Sequence, residues 1–127
     1  MSMDSTVRVR LIVKDVPASV AFYAGHFGFS PEGPQSPAFS AVRNGNLLLL
    51  LSGAASSAAR PMPDGRVPEP GGWTRFQVIV DDIEAEAAKL RAAGITFRNE
   101  IIRGPGGAQT VLDDPSGNPV ELFQPAG

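Results

Sequence analysis

Polar and apolar residues alternate along Arg8-Val9-Arg10-Leu11 before the apolar Ile12-Val13, and the same pattern returns along Arg75-Phe76-Gln77-Val78 before Ile79-Val80. Successive side chains of a strand point to opposite faces, so each run predicts a strand with one face for a core and one of mixed character. The runs match at a constant offset of 67 (Arg8 to Arg75), and each leads to an aspartate before an aliphatic residue, Asp15-Val16 and Asp82-Ile83. An aspartate there caps a helix, predicted over 17–27 in the first copy and 84–93 in the second. Gly28 and Gly94 then suit left-handed helix ends.

A second pair of matching segments follows. Asn44 to Leu50 parallels Ser116 to Leu122 at an offset of 72 (Gly45 to Gly117), each reading as a glycine turn that feeds a closing strand. Each half is therefore strand, helix, then about three strands. The pattern predicts an α+β fold of two βαβββ modules, about 6–52 and 73–125, within a single domain of residues 1–127. Between them, residues 53–72 are rich in Ala, Ser, Pro and Gly and carry no apolar period. A lid and a plain connector both fit that stretch.

Alternation also sorts the strand residues by face. Val9, Leu11, Val13, Leu48, Leu50, Phe76, Val78, Val80, Val120 and Leu122 form the expected core set. Arg8, Arg10, Ile12, Leu47, Leu49, Leu51, Arg75, Gln77, Ile79, Glu121 and Phe123 fall to the other face. An apolar floor with a few charged and amide groups is the usual makeup of a small-ligand pocket.

Composition narrows the function classes. The chain has 127 residues, is 43% hydrophobic and 19% charged, and carries a net charge of −2. Its arginines are scattered, so no basic stripe is available for nucleic acid. With no cysteine there is no disulfide, thiolate metal site or cysteine nucleophile. The longest apolar stretch, Leu47 to Leu51, is far too short to span a membrane, and the first residues lack a signal-peptide core, so a cytoplasmic location is expected. The single histidine, His26, falls near the end of the first predicted helix, where a cation is favoured. Gly104-Pro105-Gly106-Gly107 reads as a hairpin turn and not as a phosphate loop, since no Lys-Ser or Lys-Thr follows and no helix begins there. Gln109 beyond it is a candidate cleft residue, and Trp73 and Phe123 are candidates for stacking or packing.

The two-copy βαβββ pattern, Phe22-Tyr23 followed by Gly28-Phe29, the Gly94 helix end and Asp114-Pro115-Ser116-Gly117-Asn118-Pro119-Val120-Glu121-Leu122 together resemble the vicinal-oxygen-chelate family, that of glyoxalases, bleomycin-resistance proteins and extradiol dioxygenases. The resemblance implies modules that curl into half-barrels and pair around a cleft, most often in a homodimer; pairing within one chain is the alternative. It also implies metal-ligand positions on the first and last strand of each module, which fall on Arg8, Leu49, Arg75 and Glu121. Only Glu121 is a ligand type, and guanidinium groups repel a dication, so no metal and no cofactor are expected. Arg75 and Glu121, on neighbouring strands, are expected to pair in the metal's place.

Two readings of function follow. One is a non-catalytic, metal-independent binding protein that sequesters a partly apolar neutral or anionic molecule in a cleft containing Arg8, Arg10, Leu49, Arg75, Gln77, Glu121 and Phe123. The other is a divergent lyase, isomerase or dioxygenase-like enzyme of the same family, with Glu121 as the candidate general base. Whether the chain is an enzyme stays open on the sequence.

Overall fold

Asp15 and Asp82 cap the helices in the same way: the Asp15 carboxylate accepts from the Ala18 amide at 3.0 Å and that of Asp82 from the Ala85 amide at 3.1 Å. The computed structural model describes residues 4–127 and divides into two compact units, the first ending at Pro70 and the second running from Gly71 to Gly127. In the first, β1 (Val7–Ile12) leads into α1 (Val16–Phe27), followed by β2 (Ser30–Glu32), β3 (Phe39–Asn44) and β4 (Leu47–Ser52). In the second, β5 (Gln77–Ile79), α2 (Ile83–Ala92), β6 (Ile102–Gly104), β7 (Gly107–Asp113) and β8 (Pro119–Pro125) repeat the order. The sheets run β1-β4-β3-β2 and β5-β8-β7-β6, with the first and last strand of each module parallel and the other pairs antiparallel. This is the α+β, two-module architecture expected from the repeat.

Which face of each sheet carries its helix follows from the register. Asn44 lies opposite Leu47, in step with Val42, Leu49 and Val9, and its amide donates to the Phe27 carbonyl at the end of α1 at 2.9 Å. The face holding Leu49, Leu51 and Val42, all fully buried, is therefore the one that α1 covers. In the second unit Gln124 accepts from the Ile83 amide at the start of α2, at 2.9 Å. Its face, with Ala108, Thr110, Leu112, Val120 and Leu122, is the helix side.

This register corrects half of the sequence assignment. In the second unit Phe76, Val78, Val80, Val120 and Leu122 do share the helix face, and Gln77, Ile79, Glu121 and Phe123 the opposite one. In the first unit β4 is flipped. Arg8 and Arg10 lie opposite Leu48 and Leu50, and Val9 and Leu11 opposite Leu49 and Leu51. Leu47, Leu49 and Leu51 thus belong to the helix side, and Leu48 and Leu50 cluster with Ala41 and Phe39 on the other face. The physical reason is loop length. Only Gly45 and Asn46 separate β3 from β4, whereas Asp114 to Asn118 separate β7 from β8, so matching the turn glycines slips the register by one residue. A one-residue slip exchanges the faces of an entire strand.

The stretch 53–72 also departs from a featureless connector. Gly53 donates to the Ala38 carbonyl at 2.9 Å, a short 3-10 helix covers Ser57–Ala59, and Ala59 is buried. A Cβ on Gly53 would lie 3.1 Å from the Val16 side chain, so the segment begins as part of the first unit's packing.

Candidate functional site

The open face of the second sheet, turned away from α2, gathers the most polar chemistry. Glu121 sits at mid-strand on β8 with Gln77 directly opposite on β5. Arg75, two residues upstream, falls on the same face. Its Nε donates to Glu121 Oε1 at 2.8 Å, and Gln77 Nε2 donates to Oε2 at 2.6 Å. The Glu121 side chain is only 6% exposed and that of Arg75 28%. A carboxylate this buried is tolerated when both oxygens are engaged, and here they are. Arg75 is itself held in place by donation from its Nη1 to the Trp73 carbonyl at 3.1 Å.

The strand that presents Glu121 is anchored by the loop before it. Asp114, buried, accepts from the Ser116 and Asn118 amides at 2.8 and 2.9 Å, and the Asn118 side-chain oxygen accepts from the Gly71 amide at 2.8 Å. The Asp-Pro-Ser-Gly-Asn stretch is thus a scaffold that fixes where β8 begins and where the unit's first residues lie. Sequence reasoning missed a second clamp: Arg98 pairs with Asp113 at 2.7 Å, donates to the Gly72 and Gly117 carbonyls, and lies 4.5 Å from the centre of the Trp73 ring. The arginine stood between α2 and β6 with no motif around it. Its exposed ring partner, Trp73, was the available signal.

Below Glu121 on the same face, Ile79, Phe123, Gln109 and Ile102 form one row across all four strands. Ile79 is 60% and Ile102 51% exposed. The two exposed isoleucines stand on the outer strands with Phe123 and Gln109 between them, so the row offers apolar area interrupted by one amide.

In the first unit, Arg8 and Arg10 also lie on the face away from the helix. Arg10 donates to the Ser52 hydroxyl at 2.9 Å, while no hydrogen bond or ion pair joins the exposed Arg8 to another described residue. Leu49, expected beside them, is fully buried on the helix side, and the counterpart of Glu121 is Leu50, opposite Arg10. On the same face Arg43 pairs with Glu32. That hydrogen bond holds the Glu32 carboxyl below the usual carboxylate value and raises Arg43 above its own. His26 stacks edge-on against Phe22 at 5.3 Å in α1.

A match to the Glyoxalase/Bleomycin resistance protein/Dioxygenase superfamily spans residues 5–122. The chain belongs to that superfamily. Its curated relatives include the protein CFP32 of Mycobacterium bovis and Mycobacterium tuberculosis, 30% identical over 119 residues that make up 91% of this chain. The chain spans only 44% of the length of CFP32. Among solved structures, a glyoxalase/bleomycin resistance protein/dioxygenase family enzyme from Burkholderia phytofirmans has the same fold with a TM-score of 0.80 and 20% identity, over 98% of this chain and 100% of that one. TnmS3, an antibiotic-binding protein from a Streptomyces species, matches with a TM-score of 0.72 and 23% identity over 99% of each chain.

The residues present do not fit the divalent metal that enzymes of this superfamily chelate. Arg8 and Arg75 stand at the first-strand positions, and both oxygens of Glu121 already accept from Arg75 and Gln77. Among the described residues no three of His, Cys, Asp and Glu come together as a metal-binding group. Nor is any described helix long and apolar enough to cross a membrane.

Proposed function

We propose that the chain is a metal-independent small-molecule-binding protein. It sequesters a partly apolar, neutral or anionic ligand on the open face that carries Arg75, Gln77, Glu121 and Phe123, with Arg8 and Arg10 as the corresponding cations of the first unit. The observation that carries this reading is the Arg75–Glu121–Gln77 cluster, in which protein donors take the positions a dication would need. Ile79, Phe123 and Ile102 on the same face supply apolar area for a ligand, and the antibiotic-binding character of TnmS3 supports the same class of role. In this reading the protein works as a cytoplasmic homodimer.

The test is a thermal-shift comparison. Zinc, nickel, manganese and ferrous iron are expected to leave the melting temperature unchanged, while members of a small-molecule collection raise it. A ligand present at about 100 times its Kd adds about 2.7 kcal/mol, and Phe123→Ala should abolish that gain. Stoichiometric metal that survives dialysis and supports turnover of a substrate would favour the lyase or isomerase reading instead.

A further inference from the structure

Three glycines surround the β6–β7 hairpin, and the structure requires only one of them. Gly107 has φ of 147°, and a Cβ there would lie 2.2 Å from the Gln124 carbonyl oxygen. No other residue fits. Gly104 and Gly106 are different: neither has a positive φ, and a Cβ on either would meet nothing within 4 Å. Pro105-Gly106 forms the two-residue turn, and with φ of Gly106 negative this turn accepts most residues at that place. Neither backbone strain nor packing explains these two glycines. Both border a notch of about 170 Å³, lined by Ile102, Gly104, Gly106, Gly107, Gln109 and Phe123.

The lining specifies what fits. No charged side chain borders the notch, so its occupant is neutral. The Phe123 ring packs toward Gly107, with its Cζ 3.0 Å from where a Cβ would be, and provides a flat wall. Gln109, directly opposite Phe123 on β7, makes no side-chain hydrogen bond to any described residue. Its carboxamide therefore offers one donor and one acceptor side by side. We infer that the notch is a subsite for a neutral planar ring bearing a lactam-type edge, whose adjacent N–H and C=O pair with Gln109 while the ring lies against Phe123. This rests on the ligand-binding reading of the same face and names the chemistry of one end of the ligand, since the space holds a single ring and not a whole drug-sized molecule.

Nuclear magnetic resonance of the full ¹⁵N-labelled chain tests it, with 2-pyridone, N-methyl-2-pyridone and benzoate as probes at millimolar concentration. 2-Pyridone is expected to shift the Gln109 side-chain amide and the backbone amides of Gly106 and Gly107. Removing the donor in N-methyl-2-pyridone should weaken binding about tenfold, the loss of one hydrogen bond, and benzoate should leave these signals in place. Gly106→Ala and, separately, Gly104→Ala should abolish the 2-pyridone response with the melting temperature unchanged or raised, because less unfolded-chain entropy is lost on folding. Equal responses to all three probes, or a 2-pyridone response that persists in both alanine variants, would overturn the inference. Shifts confined to Arg75, Gln77 and Glu121 would overturn the notch and leave the binding reading of the face intact. No response to 2-pyridone overturns the inference alone if a screened ligand still raises the melting temperature through Phe123, and the underlying reading with it if none does.

Discussion

The two units share a fold and a topology yet differ at one matched place. On the open face of the second sheet, the closing strand carries a carboxylate gripped by Arg75 and Gln77. At the same register point in the first sheet stands Leu50, opposite Arg10 and next to Leu48, inside an apolar cluster with Ala41 and Phe39. One face is therefore organised around a buried, fully satisfied charge and the other around aliphatic side chains with cations at the margin. The repeat preserves the scaffold and the first-strand cations, and it is the closing strand that sets what each face can bind.

The largest effect that would break this comparison is a carboxylate placed on each side of β4. Leu49→Glu buries an unpartnered charge against α1 and is expected to prevent folding, as judged by loss of the cooperative thermal transition. Leu50→Glu sets the same group opposite Arg10 and is expected to remain folded at a cost of about 2–3 kcal/mol for the lost apolar burial. The reverse order would mean that the faces of β4 are assigned backwards.

A smaller effect comes from the Arg75–Glu121 pair. Because the glutamate is the more buried partner, Arg75→Met should cost about 3 kcal/mol by leaving the carboxylate with Gln77 alone, and Glu121→Leu should cost less. Combining the two should recover much of the loss. Chemical denaturation of the four species gives the coupling, and a value near zero would remove the distinction between the two faces.

The smallest effect is in the first unit. The Glu32 carboxyl, lowered by Arg43, contributes stability that is present above its unfolded value and is lost as pH falls through the lower folded one. Arg43→Gln should return the Glu32 titration to the ordinary carboxylate range, read by carbon-detected resonance, and flatten the acid limb of the stability curve.

Most of the scaffold was legible because it rests on local signals. Asp15 and Asp82 announce their helices through a side chain that reaches an amide three residues on, whereas Arg75 and Glu121, 46 residues apart, could be paired only because the family resemblance implied that their strands are neighbours. Leu49 was misplaced for a reason also contained in the chain: a two-residue turn and a five-residue loop both hold a glycine, and only hydrogen-bond register tells which residue lies opposite which. Arg98 had Trp73 as its only signal. Its partners Asp113, Gly72 and Gly117 are scattered in sequence, and nothing local brings a guanidinium to them.

The loop from Asp114 to Asn118 also sets an order of events. Its own hydrogen bonds reach two to four residues along the chain, whereas the bond that the Gly71 amide donates to the Asn118 side chain closes a separation of 47. Local closures form first in folding because they confine less chain. The loop is thus expected to close first, with the short edge strand β5 laid against β8 afterwards. In reverse, β5 is the natural place for the unit to fray, and its departure would release Arg75 and Gln77 from Glu121 in one movement. Amide exchange along residues 77–79 therefore gauges how often the buried carboxylate meets water.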